Sequence, residues 1–113
     1  MWRSAAGVAS RLPIELRFST GYTVLAGRVL FAHSNGAPPE TWAKGVEVWL
    51  SPGGDFGEAV HAGRWTLEPT TSAQEFTFPR TAVRAVRLRL LTNFGAREQT
   101  SLAEFALLPP PRT

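Results

Sequence analysis

Apolar residues in this 113-residue chain come in short runs, most of them alternating with polar ones, and glycine, proline, serine or threonine closes each run. Alternation sends successive side chains to opposite faces of an extended backbone, so it selects strands over helices, and frequent breakers keep those strands short. The 10 glycines and 9 prolines follow no fixed period, which excludes solenoid and propeller arrays. Hydrophobic residues make up 43% and charged residues 19%, enough apolar material to exclude global disorder in a chain sized for one core. An all-β fold is the expectation.

Ile14, Leu16 and Phe18 alternate with Glu15 and Arg17, which predicts a half-buried strand, and S-T-G-Y at residues 19–22 predicts a turn after it. Residues 23–32 (TVLAGRVLFA) are apolar on both faces except at Arg28, as in a central strand covered on two sides. Breaker-rich residues 33–40 (HSNGAPPE) read as a loop. Val46, Val48 and Leu50 alternate with Glu47 and Trp49, and Val86, Leu88 and Leu90 with Arg87 and Arg89. Shorter runs at 64–67 and 74–78 and a last strand over 101–108 complete the set. About seven to eight antiparallel strands predict a jelly-roll β-sandwich over residues 1–108. Residues 109–113 then form a stiff proline-rich tail or linker to other domains of a parent protein.

There is no cysteine, so neither disulfides nor thiolate metal sites hold the fold, and the compartment is not indicated. No apolar stretch is long enough for a transmembrane segment, and no signal peptide is visible. The net charge of +3 comes almost wholly from arginine, Lys44 being the single lysine. Arg87 and Arg89 alternate with core residues, so a solvent-facing sheet surface explains them and nucleic acid is not an expected partner. Enzyme signatures fail on inventory, with two histidines far apart, one aspartate, no cysteine and no G-x-S-x-G.

Several pieces in order resemble the discoidin, or coagulation factor 5/8 type C, family. They are Trp2-Arg3-Ser4, the run LPIELRF, G-V-E-V-W-L-S at residues 45–51, Val86-Arg87-Leu88-Arg89-Leu90, Asn93-Phe94-Gly95, and Ser101-Leu102-Ala103-Glu104-Phe105. The resemblance implies a galactose-binding-like jelly roll that binds carbohydrate and, from the family's habits, an extracellular or cell-surface setting. Family members usually carry a strand and an acidic turn before the tryptophan, a segment that commonly helps form a structural calcium site. This sequence starts at that tryptophan, so no cofactor is expected and calcium has no assigned ligands. The preference for arginine over lysine points to a bacterial source.

In such a fold strands are consumed by packing and loops are free to meet ligands. Residues 92–100 are the first candidate: Phe94 to stack on a pyranose face, Asn93 and Arg97 to hydrogen-bond its hydroxyls. The competing structural reading has Asn93 capping a turn, Gly95 at positive φ and Phe94 plugging the core. His33 and Trp42 join the site if the two loops converge, whereas Trp2, Trp49 and Trp65 are expected in packing. The expected function is a lectin-like module that targets a larger protein to a glycan or cell-surface polysaccharide. A protein- or membrane-adhesion module with apolar loop tips, for which Phe94 and Phe56 are the candidates with Arg97 and Lys44 as the nearby basic residues, is the alternative, as is a structural domain docked on a catalytic neighbour through a sheet face bearing Trp49 and Trp65.

Overall fold

A computed structural model describes residues 2–3, 13–33, 35–96 and 100–111. The strands are β1 (Trp2–Arg3), β2 (Ile14–Ala32), β3 (Gly45–Ser51), β4 (Val60–Thr66), β5 (Gln74–Leu90), β6 (Ser101–Leu102) and β7 (Glu104–Leu108), with single 3-10 turns at Pro39–Thr41 and Phe56–Glu58. β1 pairs with β6, and the others form an antiparallel sheet in the order β4-β3-β5-β2-β7. The all-β jelly roll expected from the alternation is what the chain adopts.

The sandwich arises because this sheet bends. A straight β2 of 19 residues would span about 60 Å at a rise of about 3.3 Å per residue, yet the molecule's longest dimension is 36 Å. The register against β5 jumps between Ser19 and Val24 and again between Ala26 and Arg28, and such irregularities bend a strand and sharpen its twist. At the first jump Gly21 takes a φ of 80°, and the Thr20 hydroxyl meets the Tyr22 and Arg84 carbonyls at 2.6 and 3.0 Å. β3 pairs with the part of β5 that faces the start of β2, while β7 pairs with the end of β2. The two halves therefore stack. Phe105 of β7 touches both Phe18 and Phe31, at 5.8 and 5.3 Å between ring centroids, and Trp65 of β4 stacks on Phe76 of β5 at 5.1 Å.

This corrects the turn expected at 19–22, which is a corner inside one strand: both flanks keep pairing with β5, so the chain bends without reversing. For the same reason the runs at 74–78 and 86–90 belong to one strand. Val29, Phe31, Val46, Val48, Leu50, Val83, Leu88 and Leu90 are fully buried between the layers, each contributing roughly 1.5–3 kcal/mol by the usual transfer value. The last strand breaks at Ala103, whose N–H bonds the Ala32 carbonyl at 2.9 Å, so Ser101 and Leu102 serve β1 while Glu104–Leu108 serve β2. Beyond it Pro109 accepts a hydrogen bond from Arg28 Nε at 2.9 Å. Pro110 lies so close to Gly27 that a Cβ there would meet its Cα at 2.7 Å.

Candidate functional site

At one end of the sandwich residues 40–44 are held to residues 92–96 and to Ser101 by backbone hydrogen bonds. Phe94 N–H donates to the Trp42 carbonyl at 3.2 Å, Ala96 N–H to Glu40 at 2.9 Å, Lys44 N–H to Thr92 at 2.8 Å and Ala43 N–H to Ser101 at 3.0 Å. Thr41 Oγ1 and Ser101 Oγ add a buried side-chain hydrogen bond at 2.8 Å. The loops converge because β2, β3 and β5 all present an end here and the polar backbone of the loops must find partners once it is covered.

Convergence brings together four of the five residues singled out in the sequence. His33 and Trp42 stack face to face, 4.9 Å apart and 5° from parallel, and both are buried, at 4% and 7% exposure. The Trp42 indole N–H donates to the Ala37 carbonyl at 3.2 Å. Burial pushes the His33 pKa down; the nearby Glu68 backbone opposes this only in part, and neither ring nitrogen closes a hydrogen bond. Asn93 is occupied inside its own loop. Its amide donates to the Ala96 carbonyl at 2.9 Å and Thr100 Oγ1 at 3.0 Å, and its carbonyl accepts from Gly95 N–H at 2.9 Å. Gly95 sits at a φ of 125°, the conformation glycine tolerates best. Phe94 is half-buried at the lip, with Lys44 Nζ 5.6 Å from its ring centroid. Arg97 lies outside the described residues. Lys44, expected with Arg97 as a basic residue near the apolar loop tips, is the one that stands beside Phe94 among the described residues.

The second cluster covers the outer face of the layer formed by β4, β3, the end of β5 and the start of β2. Register lines up two rows across these strands: Arg64, Glu47, Arg89 and Glu15, then His61, Trp49, Arg87 and Arg17. Glu47 is only 5% exposed and receives Arg64, Arg89 and His61 at 3.2, 3.3 and 3.1 Å. Burial alone would raise its pKa. The nearby Trp49 indole, although its N–H closes no hydrogen bond of ordinary geometry, and after it Arg64 and His61 reverse this and hold the carboxyl below its usual value. Arg87 lies over the rings of Trp49 and Phe56 at 5.2 and 5.5 Å, and Arg17 over Phe56 at 5.0 Å.

This face alters two sequence expectations. Arg87 and Arg89 are half-covered members of an ion-pair network rather than freely solvated groups. Trp49 is on the outer face and Trp65 on the inner, against Phe76, so no single face bears both. Phe56, one of two candidate apolar loop tips, is half-buried beneath the two arginines. Elsewhere, a cavity of about 150 Å³ is lined by Leu16, Phe18, Leu88, Leu102, Ala103 and Phe105 with Glu104 as its one charged residue, a mostly apolar lining that offers few partners to hydroxyl groups. Among the described residues no helix is long and apolar enough to cross a membrane, and no three His, Cys, Asp or Glu side chains gather as metal ligands would.

The family profile named Sad1 / UNC-like C-terminal matches residues 22–108. A search of curated proteins returns no significant match. Solved structures share the fold. The Clostridium perfringens module CpGH89CBM32-5, in complex with GalNAc-β-1,3-galactose, superposes with a TM-score of 0.76 at 18% identity over 94% of this chain and 73% of its own. The family 32 module of C. perfringens NanJ, in complex with galactose, gives 0.76 at 14% identity over 94% and 74%. A chitosan-binding module from Paenibacillus sp. IK-5 gives 0.70 at 20% identity over 95% and 74%.

Proposed function

The chain belongs to the Sad1/UNC-like C-terminal family, and from that premise and its jelly roll we propose that it is a non-catalytic glycan-binding module whose ligand is met at the loop end, beside Phe94. The observation that carries the reading is the convergence of residues 40–44 with residues 92–96, which leaves the Phe94 ring at the lip with a cation next to it. Sugar-binding modules with the same fold, among them those in complex with galactose and GalNAc-β-1,3-galactose, support it.

The roles follow from what each group has left to offer. Phe94 stacks on the apolar face of a sugar ring, Lys44 donates to its oxygens, and Arg97 is carried forward as a third contact from the sequence. Asn93, His33 and Trp42 position the loops, since their polar atoms or ring faces are engaged within the protein. These contacts require no metal ion. One stacked ring and a few hydrogen bonds give weak single-site binding, so the module works by multivalency within a longer, extracellular protein.

A glycan array tests this with the wild-type chain and Phe94→Ala side by side, both verified as folded by circular dichroism. A sugar-selective signal that persists in EDTA and weakens about tenfold or more in the variant is expected. Silence from the folded wild type, or an undiminished signal in the variant, overturns the proposal.

A further inference from the structure

On the outer face, away from the loop end and independent of the glycan reading, two arginines occupy directly paired positions on neighbouring strands, Arg17 on β2 and Arg87 on β5. Like charges directly opposite on a sheet repel. Here both guanidinium groups are braced against the same Phe56 ring, and Arg87 also against Trp49, contacts that offset part of the repulsion and fix where the charges point. Arg17 is paired with Glu15 at 3.0 Å, but Arg87 reaches the same carboxylate only at 3.8 Å, and its Nε is buried without a hydrogen bond. Across the two rows four arginines, Arg17, Arg64, Arg87 and Arg89, meet two carboxylates, Glu15 and Glu47. The face keeps a positive surplus held on aromatic rings.

We propose that this face docks an acidic, extended segment of a protein partner. Arg87 and Arg89 are two residues apart on one strand and so recur at about 6.7 Å, the same-side repeat of another extended chain. Alternate glutamates or aspartates on such a segment would meet them in register. Guanidinium groups receive carboxylates through two parallel hydrogen bonds, and arginine with tryptophan at the centre of a patch is the usual composition of an energetic anchor in protein interfaces. Arg87 lies over the Trp49 ring and His61 packs against it at a tilt of 57°, which obstructs the flat stacking a sugar needs and favours a peptide.

The test is fluorescence anisotropy of a fluorescein-labelled octapeptide of alternating glutamate and threonine against the full chain. Binding at about 50 mM salt that weakens as salt rises is expected, together with at least about a tenfold loss in Arg17→Gln/Arg87→Gln. Arg80→Gln, which removes the same charge from an exposed position on the other half of β5, is expected to bind as wild type does. If the double variant fails to fold, Arg17→Gln alone, whose side chain is 58% exposed, and Arg87→Lys, which keeps the charge without the planar fork, carry the test and each weakens binding. Absence of binding by wild type, equal binding by the face variants, or an equal loss in Arg80→Gln overturns the proposal. Tighter, arginine-dependent binding of polygalacturonate than of the peptide also overturns it and assigns the face to acidic glycans.

Discussion

His33 shows how one side chain can be set by its neighbours. Stacked on Trp42 and nearly sealed from water, it has a pKa below the ordinary 6.5, desolvation being the main cause. The neutral ring therefore suits the folded state, and the unfolded chain takes up a proton first as pH falls. Its contribution to stability is complete above pH 6.5 and is lost as pH drops from there towards the folded value. The melting temperature is expected to fall between pH 7 and pH 5, and His33→Phe, which keeps a ring against Trp42 but cannot titrate, is expected to flatten that step. A step of unchanged size in the variant would place its origin elsewhere.

At the scale of strands, the row Arg64, Glu47, Arg89 ties β4, β3 and β5 together on their outer face through one buried carboxylate. Glu47→Gln keeps the shape but removes the charge its cations need. It is expected to lower stability by about 1–2 kcal/mol at pH 7, read as a reduced urea midpoint with unchanged slope; the figure is modest because the Arg64 and Arg89 side chains are 65% and 35% exposed and water screens them. The Glu47 pKa is held down, so its contribution is complete above 4.5 and fades as pH falls through the lower folded value. Wild type and variant curves should converge there.

For the whole molecule, the decisive contacts join residues distant in sequence. Ile14 pairs with Leu90 and Trp2 with Leu102, so large loops close before burial rewards them. Refolding is expected in milliseconds to seconds, the range of sandwiches built from non-local pairs. Stopped-flow Trp fluorescence checks this, and a sub-millisecond phase carrying the full amplitude would contradict it.

Much of this architecture could be read before any coordinates, and the division has a physical cause. The alternation of Ile14, Leu16 and Phe18, of Val46, Val48 and Leu50, and of Val86, Leu88 and Leu90 already assigned strands and their inward faces, because side-chain direction in a strand is a local, two-residue property. The turn at Asn93 and Gly95 was equally local, and the hydrogen bonds of Asn93 follow that structural reading. The same local rule named Glu47 as outward-facing but said nothing of the arginines that cover it, since those stand on strands far away in the chain. Residues 19–22 looked like a reversal because glycine and polar residues mark turns and corners alike. Pairing with β5 on both sides made them a corner. His33 and Trp42 meet, and Phe94 gains Lys44, only after the bent sheet has brought the two loops to one end. Direction along a strand was determined by the sequence alone; partner, bend and burial were decided by the tertiary structure, because each depends on segments that touch only when the sheet closes.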